Sequence, residues 1–354
     1  MNDAITKSSI TIRELEPSAG YARLVEARDE QTGLHALVSI HSLKRGPAAG
    51  GCRMYDYADI KQAIFDVERL SRGMTYKNAA ADLPLGGGKS VIIGDPKTQK
   101  TPELMRAFGR FIDSLKGDYY TAEDVGVSPQ DMAHVAEEAA YVAGLEGGAF
   151  ASGDPSPVTA RGVFLCLKQT LKHATGSDDL TGKKIAIQGL GHVGMSLAGM
   201  LHDAGAKLTV CDINDEAVRA AQANFDATVV SPGEILRQDV DVFAPCAMGG
   251  VLNPVAIAAL KARFVVGAAN NQLADDACGQ HLKDAGILYA PDYIVNGGGI
   301  VNVAMEILEI SDPDYRESRI SGLATTLEKV FVRADELDQP PHVIADQLIE
   351  GRLS

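Results

Sequence analysis

The stretch "KKIAIQGLGHVGMSLAGMLHDAGAKLTVCDIN", residues 183–214, constrains the fold more than any other part of the chain. Ile185 and Ile187 alternate as in a strand, Gly189, Gly191 and Gly194 spell G-x-G-x-x-G, and Val193, Leu197, Met200 and Leu201 recur at helical spacing. "KLTVC" then reads as a second buried strand that ends at Asp212. Such a βαβ unit belongs to an open parallel sheet wound with helices on both faces.

The same residues point to a ligand. Glycine lacks the Cβ that would hold a pyrophosphate away, and the unpaired N–H groups of the helix N-terminus carry partial positive charge. His192 and Val193 lie within this turn and count with Gly189, Gly191 and Gly194 as cofactor-contacting positions. Asp212 follows Gly191 by roughly 20 residues, where a carboxylate accepts hydrogen bonds from the adenosine ribose hydroxyls. It also repels a 2′-phosphate, and Ile213 and Asn214 supply no arginine to receive one, so NAD is favoured over NADP. Downstream, "DVDVFAPCA" and "ARFVVGAANNQL" read as further parallel strands ending in small or polar residues. Asn270 and Asn271 at the second of these ends are either turn formers or carboxamides that orient cofactor or substrate.

With 354 residues the chain is long for one core, and the fold expected is α/β in two domains with a cleft between them. Residues 1–150 are expected to form one α/β domain and residues 151–329 the Rossmann dinucleotide-binding domain. The helices of 330–354 are expected to pack back on the first. "GGAFASGDPSP", Gly147 to Pro157, has the composition of the hinge.

A net charge of -14 opposes nucleic acid and anionic membranes as partners and leaves a small molecule as the expected ligand. The start "MNDAITKSSITIRELEP" has no basic stretch followed by an apolar one, and no segment approaches ~18 apolar residues, so the protein is expected to be cytoplasmic. Cys52, Cys166, Cys211, Cys246 and Cys278 show no metal-like spacing, and neither a disulfide nor a metal is expected.

In the first half, "LPLGGGKSVIIGDP" sets three glycines and Lys89 before a strand-like run. A phosphate loop of the G-x-x-x-x-G-K-[ST] type is excluded, because its first glycine would fall on Leu83 and its strand should precede the glycines. Ile60, Ala63, Ile64, Val67, Leu70 and Met74 define a buried helical stripe, and Lys77 falls in phase with it. Taken alone, such a lysine snorkels at a helix end. Together with Lys89, and with Glu123 and Asp124 at the end of "DYYTA", it suits a zwitterionic substrate. One lysine would hold a carboxylate, while the other, desolvated, would serve as a base.

The blocks "LSRGMTYKNAAADLPLGGGKSVIIGDP", "TAEDVG", "GDPSPVTARGVF", "QGLGHVG", "FAPCAMGG", "GAANNQL" and "ILYAPDYIVNGGGIVNVA" resemble the NAD-dependent amino-acid dehydrogenases, the leucine dehydrogenases most of all. The resemblance runs from about Gly46 to Val303 and implies that residues 1–150 are the substrate-binding, catalytic and oligomerisation domain. It implies that Lys77 binds the substrate α-carboxylate with help from the Gly50 and Gly51 backbone, and that Lys89 activates water and polarises the carbonyl. Asp124 would exchange protons with the amino group, and Asn270 would lie between nicotinamide and substrate. Thr159 and Ala247 would line the cofactor site.

Related glutamate dehydrogenases place a lysine before the glycine pair, where this chain has Ala49, so an apolar pocket is implied, completed by Ala122, Ile300 and Val303. Leucine dehydrogenases usually carry leucine at the Ala49 position, and a roomier pocket would admit phenylalanine or another bulky side chain. The reaction implied is reversible oxidative deamination of an apolar L-amino acid, with leucine, isoleucine or valine foremost, to the 2-oxo acid and ammonia, as in branched-chain catabolism. The family forms homo-oligomers from dimers to octamers. A 2-hydroxy-acid dehydrogenase would use a histidine, but His134 falls on a surface helix and His192 inside the glycine turn. A non-catalytic NAD sensor would not require Lys77, Lys89 and Asp124 together.

Overall fold

The first β-forming runs pair into a six-stranded mixed sheet of order β1-β2-β3-β5-β4-β6. Its strands are β1 (Thr11–Leu15), β2 (Arg23–Asp29), β3 (Leu34–Ser42), β4 (Ala48–Tyr55), β5 (Gly86–Ile93) and β6 (Tyr119–Glu123). β1, β2, β3 and β5 pair antiparallel in succession, whereas β4 runs parallel to both β5 and β6. Helices α1 (Ile60–Ala80), α2 (Pro102–Ser114) and α3 (Pro129–Ala136) accompany this sheet. Ala63 and Val67 of α1 pack with Leu37 and Val91, while Leu104, Phe108 and Phe111 of α2 pack with Val38, Met54 and Ile92. The alternating strand residues thus feed two separate apolar layers.

The second sheet is entirely parallel, of order β12-β11-β10-β7-β8-β9. Here α4 (Ser156–Thr175) precedes β7 (Lys184–Gln188), α5 (His192–Asp203), β8 (Lys207–Cys211), α6 (Asp215–Phe225) and β9 (Thr228–Val229). Then follow β10 (Val242–Pro245), α7 (Pro254–Ala259), β11 (Phe264–Val265), α8 (Ala277–Asp284), β12 (Leu288–Tyr289) and α9 (Asp292–Val295). Helices α10 (Gly298–Ile307), α11 (Pro313–Leu337) and α12 (Pro341–Leu353) complete the chain. Strand order reverses between β7 and β10, which makes the carboxyl ends of these two strands the switch point where α/β sheets bind ligands.

This computed structural model describes residues 10–147 and 150–353. The leader reading over residues 1–9 and the Gly148–Ala149 part of the expected hinge lie outside them. The chain divides into two units, one of Met1–Ala79, Leu83–Gly153 and Val303–Ser311, the other of Ala80–Asp82, Asp154–Asn302 and Asp312–Ser354.

The expected return of residues 330–354 to the first domain is corrected, since these helices belong to the second unit. α11 buries Leu323, Leu327, Val330 and Phe331, and the Phe331 ring lies 5.1 Å from that of His173 on α4. Tyr293 Oη donates to Asp346 of α12 at 2.9 Å. The apolar stripe of α11 therefore has its partner within that unit.

Among the described residues no helix is long and apolar enough to cross a membrane, and no group of three or more His, Cys, Asp or Glu side chains is placed to hold a metal. All five cysteines are free thiols.

Candidate active site

The three glycines and Lys89 lie inside a strand, which corrects the expectation that they precede the strand-like run. β5 begins at Gly86, and Lys89 stands in its interior, only 6% exposed. The glycines there admit protein, not a ligand. A Cβ on Gly87 would come within 2.1 Å of the Thr75 backbone nitrogen, one on Gly88 within 2.6 Å of the Tyr119 ring, and one on Gly86 within 2.0 Å of the Ser42 carbonyl. At Gly87 it is the missing side chain that lets Thr75 of α1 lie directly on the strand.

Polar groups lock that approach. Asn78 Nδ2 donates to the Gly86 carbonyl at 2.5 Å, Ser71 and Ser39 hydroxyls pair at 2.9 Å, and Thr75 Oγ1 meets His41 Nδ1 at 2.9 Å. The buried face of α1 therefore includes Ser71, Thr75 and Asn78 as well as the apolar stripe. Lys77, half-buried, is the basic residue of the last turn, where the helix carbonyls favour a cation.

Lys89 Nζ lies 2.7 Å from Asp124 Oδ2, just beyond the end of β6. Arg53 Nε approaches the same oxygen at 3.3 Å. Asp124 Oδ2 and Arg53 Nε do not meet hydrogen-bond geometry with any partner, so charge rather than alignment holds this cluster. Burial alone would push the Asp124 carboxyl upward, but Lys89 and Arg53 together hold it below the ordinary carboxylate range.

Gly50 and Gly51 are buried in β4. A Cβ at Gly50 would fall 2.0 Å from the Gly88 carbonyl, and one at Gly51 would fall 2.4 Å from the Glu123 carbonyl. Tyr119 Oη donates to the Gly50 carbonyl at 2.6 Å and so fixes that peptide. Ala49 has no exposed surface, Ala122 and Ile300 are buried, and Val303 is half-buried. Ile300 belongs to the second unit and Val303 to the first, although both lie on α10.

In the parallel sheet, Gly189 has φ +99° and a Cβ there would touch Ala247 at 2.8 Å. A Cβ on Gly194 would fall 2.0 Å from the Gly189 carbonyl, so this glycine lets α5 pack tightly against the turn. Gly191 differs, because nothing from beyond its own stretch of chain lies within 4 Å of the place its Cβ would take. It caps α5 without a side-chain hydrogen bond, His192 is exposed and Val193 is half-buried. This open glycine at an uncapped helix N-terminus fits a pyrophosphate.

Asp212 Oδ2 accepts from the Leu190 N–H at 2.5 Å and Oδ1 from the Asn214 N–H at 2.8 Å, so the acid also ties the glycine turn to β8. Thr159 Oγ1 donates to the Pro155 carbonyl at 3.0 Å. Asn270 Oδ1 accepts from Asn296 Nδ2 at 2.8 Å, which fixes its amide orientation.

Sequence reasoning missed Arg53, Tyr119 and Asn296. Only Arg53 leaves a local signal, a charged residue within the buried strand "AAGGCRMY". The bond from Tyr119 to Gly50 spans 69 residues and leaves none.

Residues 22–141 match the profile of the Glu/Leu/Phe/Val dehydrogenase dimerisation domain, and residues 151–218 and 209–320 match the Glutamate/Leucine/Phenylalanine/Valine dehydrogenase profile. The chain is 46% identical over 333 residues to the leucine dehydrogenase of Bacillus subtilis (strain 168), covering 94% of this chain and 91% of that one. It is also 46% identical over 294 residues to the phenylalanine dehydrogenase of Lysinibacillus sphaericus, covering 82% and 77%. The crystal structure of L-tryptophan dehydrogenase from Nostoc punctiforme superposes with a TM-score of 0.83 at 40% identity, covering 94% of this chain and 96% of that one. With its glycine turn at the switch point of a parallel sheet and the Lys89–Asp124 pair in a mixed one, this chain belongs to the Glu/Leu/Phe/Val dehydrogenase family of amino-acid oxidoreductases.

Proposed function

We propose that the protein catalyses reversible NAD-dependent oxidative deamination of an apolar L-amino acid, with leucine, isoleucine and valine as its main substrates. The observation that carries this reading is the Lys89–Asp124 pair at 2.7 Å, a base and a proton exchanger in contact within one site. Lys77, held near β5 by the Asn78 anchor, would bind the α-carboxylate, and the fixed Gly50 peptide would help to orient it. Gly189, Gly191 and Gly194 would receive the pyrophosphate, and Asp212 the adenosine ribose, with Thr159, Ala247 and Asn270 near the nicotinamide. When bound, NAD accepts the hydride that leaves the substrate Cα.

The chain's own part is proton traffic. Asp124 would take a proton from the substrate ammonium, and Lys89, acting in its neutral form beside it at 2.7 Å, would take one from the attacking water. Asp124 then returns a proton to the departing nitrogen. The like charge of Asp212 opposes a 2′-phosphate and supports NAD over NADP. Assembly as a homo-oligomer is supported by the dimerisation-domain match, and a reducing cytoplasm by five unpaired thiols.

A bulky substrate such as phenylalanine is the second reading, favoured by alanine at position 49 and by the phenylalanine dehydrogenase relative at 46% identity. A panel of the 2-oxo acids of valine, leucine, phenylalanine and glutamate, assayed with NADH and ammonia, separates these readings. Branched-chain 2-oxo acids are expected to turn over fastest and the glutamate analogue slowest by roughly a hundredfold, since a carboxylate would enter an apolar pocket unpaired. NADH oxidation that does not depend on ammonia would sink the deamination reading.

A further inference from the structure

We propose that Arg53 is a positioning residue for Asp124: bridged between two carboxylates, it fixes the direction and the charge of the Asp124 side chain without touching the reacting atoms. This role rests on the proton exchange proposed at Asp124. Arg53 leaves β4 opposite Val91, two residues along β5 from Lys89, and is largely buried. Its Nε lies 3.3 Å from Asp124 Oδ2 and its Nη1 2.9 Å from Asp66 Oδ2.

Asp66 is held in turn. Tyr57 Oη donates to its Oδ2 at 2.8 Å, and Arg69 Nη2 donates to its Oδ1 at 3.0 Å. A continuous chain therefore runs from α1 through Asp66, Arg53 and Asp124 to Lys89. The guanidinium, hydrogen-bonded to Asp66 at one end, presents its charge to Asp124 from a fixed place, and the carboxylate it faces is drawn toward that charge.

Charge bookkeeping gives the second reason. Once Lys89 gives up its proton to act as a base, Asp124 loses one of its two cations. Arg53 does not titrate in the working range and keeps a positive charge on Oδ2 throughout the cycle. The other ionisable groups near Asp124 cannot take this part. Cys52 is pushed up to about 12 by burial, the Tyr119 phenol is also pushed up by burial, and Asp66 carries the wrong sign.

The sign of the pH effect follows. Without Arg53, burial would raise the Asp124 carboxyl against Lys89 alone, so protonation would set in at higher pH. The test compares kcat, KM and the pH profile of kcat/KM for amino-acid oxidation in wild type, Arg53→Gln, Arg53→Lys, Asp66→Asn and Asp124→Asn, with thermal unfolding as the check on folding. Arg53→Gln is expected to lower kcat by roughly 10- to 100-fold, with little change in KM, because misdirection of an acid/base group acts on the transition state. Its acid limb should move up by roughly 1 pH unit. Arg53→Lys should restore the limb but recover kcat only in part, since an ammonium supplies charge without the fork that spans both carboxylates. Asp66→Asn, acting from the far end, should lower kcat by a smaller factor.

A folded Arg53→Gln enzyme with wild-type kcat and acid limb overturns the positioning role. If that variant does not fold, wild-type kcat in both Arg53→Lys and Asp66→Asn overturns it instead. Wild-type turnover in Asp124→Asn would remove the proton exchange itself and Arg53's role with it. An inactive Asp124→Asn beside an unaffected Arg53→Gln removes only the role of Arg53.

Discussion

In the mixed sheet, Gly86, Gly87 and Gly88 are strand residues whose missing side chains are filled by Ser42, Thr75 and Tyr119. In the parallel sheet, Gly191 sits at a helix N-terminus with no heavy atom from beyond its own stretch of chain within 4 Å of its absent Cβ. The two glycine runs thus differ in surroundings, one packed against protein inside a strand and the other open at a helix N-terminus. The charged residues divide in the same way. Lys89 is buried against Asp124 and Arg53 as part of an ion cluster, whereas Asp212 turns both carboxylate oxygens to backbone N–H groups and shapes a turn. A glycine cluster identifies close approach, and the element around it decides what approaches.

The largest effect that would sharpen this contrast is expected at Lys89. Lys89→Ala should lower kcat by ~10²–10⁴-fold while leaving NAD affinity, measured by fluorescence titration, within about twofold of wild type. A matching loss of NAD binding would mean that the mixed sheet serves the cofactor as well.

Next in size is the glycine pair itself. Gly87→Ala drives a methyl into the Thr75 backbone and should destabilise the protein by about 3 kcal/mol or more, read as a lower denaturation midpoint. Gly191→Ala meets open space and should cost less than about 1 kcal/mol in stability, while weakening NAD binding by crowding the phosphates. Equal losses of stability in the two variants would break the distinction.

The smallest effect belongs to Asp212. Asp212→Ser is expected to narrow the preference for NAD over NADP by roughly tenfold, through relief of like-charge repulsion. Because Leu190 N–H also loses its acceptor, some NAD affinity should go as well. Kinetics with both cofactors separate the two contributions, and an unchanged ratio would leave the carboxylate with only its turn-fixing work.

The parallel sheet was legible along the chain. Its strand, glycine turn, helix, strand and acid succeed one another within 183–214, so the hydrophobic period and the glycine spacing sufficed, and the observed β7, α5 and β8 fall inside that stretch. Lys77, Lys89 and Asp124 drew attention as charges out of place on apolar elements and through the family blocks around them. The strand character of Gly86–Gly88 was not legible, because glycine carries no side-chain pattern and its place in β5 depends on pairing with β3 and β4.

By itself, then, the sequence determined the βαβ unit and the two-part α/β plan and singled out Lys77, Lys89 and Asp124 as candidates, since each rests on short-range period or on a local motif. Tertiary structure alone decided that Lys89 lies buried beside Asp124, that Arg53 joins Asp124 to Asp66, that Tyr119 fixes Gly50 and that α11 and α12 pack within the second unit. Each of these depends on which strand lies next to which and on which face a helix finds covered. Such choices are made by burial summed over distant residues, and no window along the chain contains them.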